Sequence, residues 1–269
     1  MRRVVAAIVA ARRAARPVVL AIGGHVIKTG CSPLLIDLMQ RGVVTAIATN
    51  GSGAIHDLEL AETGATSEDV ADTIRDGSFG MVAETCERMN EAARRGAAGV
   101  GLGRALGDLL QSGNAAHREL SVFAAAARLG LPATVHVGVG TDTVHMHPDA
   151  DGAAIGAASM IDFRTLCGVV ADLGASNGVT AGGAGGVWLN IGSAVVLPEV
   201  FLKAVSVARN LGHNLDAMHT ANFDMLRHYR PSQNVLSRPV APGHGHSLVG
   251  QHEILLPLLR QAIIDALEA

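Results

Sequence analysis

The chain has 269 residues, enough for one large α/β domain or two small ones, and aromatic residues make up only 3% against 49% hydrophobic, so its core must be built from Ala, Val, Leu and Ile. A formal net charge of −3 excludes the concentrated basic surface that nucleic acid requires, so no nucleic-acid partner is expected. The three cysteines (Cys31, Cys86 and Cys167) are too widely spaced for a disulfide framework or a zinc motif, which points to a cytoplasmic protein.

The basic residues Arg2, Arg3, Arg12, Arg13 and Arg16 have the flavour of a transit peptide, but no cleavage signal follows. Val4 to Val9 is too short for a membrane span. An amphipathic first helix is the better reading, with no membrane partner. Val18 to Ile22, bounded by Pro17 and Gly23, reads as a fully buried strand. It runs into the polar stretch Gly23-Gly24-His25-Val26-Ile27-Lys28-Thr29-Gly30, read as a loop. Ser32 is then expected as a helix N-cap with Pro33 at the first helical position, and Leu34, Leu35, Leu38 and Met39 as the buried stripe. Val43 to Ala48 is the second strand, followed by Thr49-Asn50-Gly51-Ser52-Gly53. Strand, helix and strand within about thirty residues make a right-handed parallel crossover.

Residues 54 to 130 read as mostly helical, with helix-start chemistry at Thr66-Ser67-Glu68-Asp69 and a helical pattern from Met81 to Arg95. Gly99, Gly101 and Gly103 lie between helices and not after a strand. They therefore read as a packing or hinge loop and not as a dinucleotide fingerprint. Ser121 to Leu129 is a helix, and Pro132 to Val139 a strand leading to Gly140-Thr141-Asp142. The second half repeats the rhythm: a helix at Gly152–Leu173, a flexible loop at Gly174–Gly186, a strand at Val187–Ile191, a helix at Pro198–Leu211 and a strand at Asp216–Thr220. Pro231 to His246 is read as an extended loop, and Glu253 to Leu267 as a closing helix that Pro257 delays. This alternation, without a linker, predicts a single α/β domain over residues 1–269. It is Rossmann-like and doubly wound, with a mainly parallel sheet and helices on both faces.

These segments, in this order, resemble the deoxyhypusine synthase family, which has a Rossmann-like NAD-binding fold. His25 to Gly30 is similar to that family's first strand-to-helix loop, and Ala48 to Asp57 to its Thr-Thr-Ala-Gly-Gly loop with following acids. Thr141-Asp142, or alternatively Asp151 to Gly156, resembles its Thr-Asp-Gly-Ser-x-Gly loop. Ile191 to Val196 resembles its Gly-Gly-Gly-Val-Val loop, and His219 to Asp224 its Asn-Thr-Ala-Gln-Glu-Phe-Asp segment. The departures bear on function. Arg230-Pro231 is followed by Val235-Leu236-Ser237-Arg238-Pro239-Val240, without the family's nucleophilic lysine, and its Lys-His-His is here Leu197-Pro198-Glu199. A guanidinium stays protonated, so Arg238 is no substitute amine, and a true deoxyhypusine synthase is not expected.

NAD is the cofactor the resemblance implies. Its pyrophosphate needs backbone N–H groups and residues small enough for close approach. Gly23, Gly24, Thr29, Asn50, Gly51, Ser52, Gly53, Gly192, Ser193, Thr220 and Ala221 meet that need, although tight turns capping buried strands would explain most of the glycines. Asp142 or Asp151 would suit a ribose diol. Lys28, one of two lysines against nineteen arginines, reads as an anion anchor, an imine-forming amine once desolvated, or a solvated loop residue. Lys28, His145, His147, Glu199 and Asp224 are the catalytic candidates. Asp142, Asp149, Asp151, Glu199 and Asp224 would bind a cationic amine, with a histidine moving the proton. His56, His145, His147 and His219 are placed on the ligand side of the sheet, and His117, His213 and His228 on the surface.

The activity expected is an NAD-dependent transferase, lyase or oxidoreductase acting on a small amine- or hydroxyl-bearing substrate by transient hydride abstraction. The alternatives are a non-catalytic NAD or nucleotide sensor, and a metal-dependent hydrolase using His145-Met-His147 and His244-Gly-His246; no metal is assigned. The resemblance also implies a homotetramer.

Overall fold

The computed structural model describes residues 1–66, 70–174 and 183–269. Ser67, Glu68 and Asp69 of the expected helix start, and residues 175–182 of the expected flexible loop, lie outside the described residues.

Six parallel strands form one sheet: β1 (Val18–Ile22), β2 (Ala46–Asn50), β3 (Ala133–His136), β4 (Val187–Ile191), β5 (His219–Asp224) and β6 (Gly245–Val249). Their spatial order is β3-β2-β1-β4-β5-β6. The first three strands wind one way from β1 and the last three the other way from β4, the doubly wound order of a Rossmann-like fold. Every pairing is parallel, with Leu20 of β1 opposite Ile47 of β2 and Leu189 of β4.

The central strands are apolar on both faces, as a covered parallel sheet requires. Val18, Leu20 and Ile22 join the larger core, and Val19 and Ala21 the smaller. The larger core takes in α1 (Arg2–Arg13), α3 (Ser32–Gln40), α4 (Gly51–Thr63), α6 (Ala83–Arg95), α7 (Leu102–Ser112), α8 (Val122–Leu129) and α12 (His252–Glu268). The smaller takes in α9 (Gly152–Ala171) and α10 (Val196–Asn210), with Trp188 stacked on Phe201 at its centre. By length and composition α9 could cross a membrane, but it packs on β3 and α10 instead. Three short helices complete the set: α2 (Gly24–Lys28), α5 (Val70–Asp76) and α11 (Tyr229–Asn234).

Several boundaries differ from the sequence reading, each for a local reason. Residues 24–28 form one helical turn and not a loop. Ser32 opens α3 without capping it; its hydroxyl is buried and unbonded, and Cys31 takes the cap position. Val43 and Val44 both give their N–H to the Leu38 carbonyl, closing α3, so β2 starts later. Asp216 is held in a turn by Asn214 and Met218 by Leu215, which moves β5 on to His219. The expected loop from Pro231 to His246 contains most of α11 and the start of β6. Pro257 sits inside α12 on an exposed turn, where the carbonyl it leaves unpaired is open to water. Of the three glycines between α6 and the first turn of α7, Gly101 and Gly103 serve close packing and Gly99 does not. A Cβ at Gly101 would meet the Asp162 carboxylate, and one at Gly103 the Ala133 carbonyl.

Candidate functional site

The carboxyl ends of the strands carry the candidate residues. Between β1 and β4, where the winding reverses, Gly23 gives its N–H to Ile191 and Gly192 gives its N–H to Phe223. A Cβ on Gly23 would collide with the Gly192 carbonyl oxygen, and Gly192 itself sits at φ +64 with the His252 ring packed over it, so the two backbones meet closely at this crevice. Open parallel sheets bind ligands at this switch point. The next loop over is as tight: a Cβ on Gly24 would press on Ser52, and one on Gly53 on the Thr49 hydroxyl. These glycines are therefore demanded first by the protein's own packing.

A cavity of about 510 Å³ opens beside this crevice, over the β1–β3 half of the sheet. Helix α4 supplies one wall. Its residues Ser52, Ile55, His56, Glu59 and Thr63 recur at helical spacing and so share one face. Lys28, at the end of α2, and Thr141, Asp142 and Thr143, from the loop after β3, close the polar end. Phe79, Val70, Val82 and Cys86 form the opposing apolar wall.

Two arrangements in this cavity have chemical consequences. His56 Nδ1 lies 3.2 Å from Glu59 Oε2, one helical turn away. That bond holds the imidazole with Nδ1 protonated and leaves Nε2 as an acceptor, the orientation that a general base needs. The Asp142 carboxylate lies against Gly51 at the start of α4, where only a glycine leaves room for it. Its side chain is 7% exposed, and this burial pushes its carboxyl above the ordinary carboxylate range, against the opposing pull of His145. Asn50 and Ser52, expected as cofactor ligands, form the cap of α4: the Asn50 side-chain oxygen accepts from the Gly53 N–H and the Ser52 hydroxyl. Thr29 turns its hydroxyl back to the His25 and Val26 carbonyls.

The remaining expected residues divide away from this cavity. His145 Nδ1 accepts from the Gly140 and Asp142 N–H groups, and His147 Nδ1 accepts from Asp149 N–H, so one nitrogen of each ring serves loop geometry. Asp151 caps α9 through the N–H groups of Ala153 and Ala154 and is exposed, which leaves Asp142 as the ribose candidate that lines the cavity. Glu199 ties α10 to α11 through Lys203, Arg230 and Asn234, and those partners hold its carboxyl low. Thr220 and Ala221 lie inside β5 and are fully covered, Thr220 with its hydroxyl on the Val235 carbonyl; neither reaches a loop. Ser193 accepts from Leu197 N–H at the start of α10. Asp224 ends β5, buried, 3.9 Å from His228.

His219 is also not where the sequence reading puts it. It stands at the amino end of β5, stacked on His244 (centroids 4.1 Å apart) and near His246 (5.9 Å). Burial and the neighbouring imidazoles depress its ionisation to about 4. The two His-x-His segments thus occupy opposite ends of a parallel sheet, and among the described residues no group of His, Cys, Asp and Glu converges to hold a metal. Two features were missed by the sequence reading: the partnership of His56 with Glu59, whose signal is a three-residue separation on one helix, and the burial of His252. His252 is 1% exposed, sits over Gly192, and has neither ring nitrogen hydrogen-bonded to a partner.

No protein-family profile matches the chain, and no curated protein matches it. Solved structures do. A conserved protein assigned to the LOR/SDH group from Methanococcus maripaludis S2 superposes with a TM-score of 0.60 at 15% identity, covering 100% of this chain and 69% of that one. AgrE, solved as a ternary complex with ornithine and NAD+, gives a TM-score of 0.61 at 16% identity over 99% of this chain, which spans only 34% of AgrE. A protein assigned as a deoxyhypusine synthase from Entamoeba histolytica reaches 0.47 at 10% identity, too distant to support the expected family. At these identities the likeness is one of fold: the Rossmann-like α/β architecture is shared with LOR/SDH-type and AgrE structures.

Proposed function

We propose that the chain is an NAD-dependent enzyme acting on a small amine- or hydroxyl-bearing substrate. The observation that carries this reading is the convergence of Lys28, the His56–Glu59 pair and Asp142 on one 510 Å³ cavity, beside a switch-point crevice bounded by Gly23 and Gly192. AgrE, a neighbour in fold that was solved in complex with ornithine and NAD+, supports it.

The residues fit a dinucleotide at two points. Gly23 and Gly24 offer backbone without side chains at the switch point, as a pyrophosphate needs, while the His252 ring covers Gly192. At the start of α4 the position suited to an anion is filled by the Asp142 carboxylate, so a ribose diol, which donates hydrogen bonds, suits it and a phosphate does not. When bound, the nicotinamide ring supplies a hydride acceptor. His56 Nε2 takes the proton from the substrate amine or hydroxyl as its carbon is oxidised, and Glu59 keeps the imidazole in the required orientation. Lys28 holds an anionic substituent of the substrate at the polar end. It acts as a point charge and not as a nucleophile, because it is exposed.

The test is calorimetric and thermal-shift titration with NAD+, followed by 340 nm absorbance with a panel of amino and hydroxy acids. Binding of NAD+ with reduced cofactor appearing for a panel member is the expected result. Binding without reduction across the panel would favour a non-catalytic sensor, and no binding at all would end the reading.

A further inference from the structure

Lys28 forms no ion pair among the described residues. Among the described residues it is the one lining residue of the cavity with a fixed positive charge. Among the described residues the cavity has two carboxylates, each with a partner: Glu59 pairs with His56, and Asp142 accepts from the backbone at His145. Several hydroxyl hydrogens are spent as well. Thr63 donates to the Glu59 carbonyl, Thr141 to the Gly138 carbonyl and Ser52 to Asn50. What faces the interior beyond Lys28 is largely carbon. Ile55 on α4 is opposed by Phe79 and Val82, and Val82 is still 38% exposed at the mouth. Against the side chains of Ile55, Phe79 and Val82 an ammonium would lose water with no polar atom there to replace it, whereas an alkyl chain would gain by leaving water.

We propose that this cavity binds a carboxylate with an apolar side chain, its carboxylate on Lys28 and its tail against Ile55, Phe79 and Val82, and that it discriminates against diamino acids. The inference rests on the reading of this cavity as the substrate site, and it sets the chain apart in substrate class from its ornithine-bound neighbour in fold.

Norleucine and ornithine provide the decisive comparison, because their side chains have the same length and differ by a terminal methyl against an ammonium. Calorimetric titration of the full chain, with and without NAD+, is expected to show norleucine binding at least roughly tenfold more tightly than ornithine. Pentylamine, which lacks the carboxylate, is expected not to bind. Lys28→Met, at an exposed position, should weaken norleucine by roughly tenfold or more. Val82→Asp, which also supplies a better N-cap for α6, should reverse the preference towards ornithine. Tighter binding of ornithine than norleucine, or norleucine affinity unchanged in Lys28→Met, would overturn the proposal. So would NAD+ binding with no response to norleucine up to roughly 10 mM. Norleucine binding without NAD+ binding would leave this inference standing and remove the NAD-dependent reading, so the two failures are distinguishable.

Discussion

The carboxylate of Asp142 rests on the α-carbon of Gly51, so the loop after β3 and the first residue of α4 touch where a side chain would otherwise stand. The contact fixes Asp142 at the polar end of the cavity. Gly51→Ala must push that carboxylate away, at a cost of about 1–3 kcal/mol for a forced steric rearrangement. NAD+ affinity is expected to fall by about tenfold or more. Asp142→Asn keeps the shape and removes the charge, so it should weaken NAD+ with a much smaller loss of melting temperature. Titration of NAD+ into both variants, beside their thermal melts, checks this. Wild-type affinity in Gly51→Ala would show that the dinucleotide does not use this corner.

His56 and Glu59 should behave as a unit. Replacing His56 by Gln removes the proton acceptor and is expected to lower kcat by about 10²–10⁴-fold. Glu59→Gln retains a hydrogen-bond acceptor for Nδ1 but loses the charge that steadies the imidazole, and should cost less, about tenfold. The double variant should be little worse than His56→Gln alone, because Glu59 acts through His56. Steady-state rates of NADH formation for the three variants decide it. Additive losses would mean that Glu59 contacts the substrate independently.

Much of the fold was legible because burial leaves a strong periodic mark. The β1 and β4 spans match the sequence reading to the residue, since β1 is an uninterrupted apolar run between breakers and β4 is interrupted only by Asn190. The site was legible only in part. Glycines at strand ends were correctly placed but had two possible causes, and in the structure Gly23, Gly24, Gly51 and Gly53 are each required by a neighbouring atom of the same chain. Short-range side-chain bonding was the hidden variable. Asp151, His145 and His147 look like ligands in the sequence, and each accepts from backbone N–H groups within five residues, the histidines through Nδ1 and Asp151 through Oδ1. Thr220 and Ala221 were misplaced because the strand begins later than its apolar content suggests: His219, Asn222 and Asp224 are polar strand residues made possible by partners across the sheet, such as Asn190 with Asn222 at 2.7 Å. His56 and Glu59 were the reverse case, two ordinary helix residues that matter because α4 turns that face to the cavity.

Glu199 is expected to be structural. It joins α10 to α11 through Arg230, Lys203 and Asn234, and it does not line the cavity. Glu199→Gln should therefore leave NAD+ affinity and kcat within about twofold of wild type. The loss of stability should be no more than about 1 kcal/mol, since these pairs are largely solvent-exposed and screened. Raising the salt concentration should diminish even that difference. A large fall in kcat at unchanged stability would return Glu199 to the list of reacting groups.

Two buried carboxyls set how stability depends on pH. Asp57 accepts from the Ser121 hydroxyl and from the N–H groups of Val122 and Phe123, so that α4 caps α8. Asp162 accepts from the N–H groups of Gly103 and Val135 and thereby ties α9 to α7 and β3. Burial outweighs these bonds and pushes Asp57 up to about 6 and Asp162 up to about 7, from 3.8. Between 3.8 and those values the folded chain binds more protons than the unfolded chain, so the stability contributed by each group is greatest at low pH and declines as pH rises through the window. For Asp57 the decline amounts to about 2 kcal/mol between pH 4 and 6, and for Asp162 to about 3 kcal/mol between pH 4 and 7. Asp57→Asn and Asp162→Asn do not titrate and should each remove their share of this slope. Denaturant midpoints at pH 4.5, 6 and 7.5 measure it, with each variant compared with wild type so that other carboxylates cancel. Parallel curves for wild type and both variants would mean that the backbone N–H groups hold these carboxylates ionised across the range, with desolvation the lesser effect.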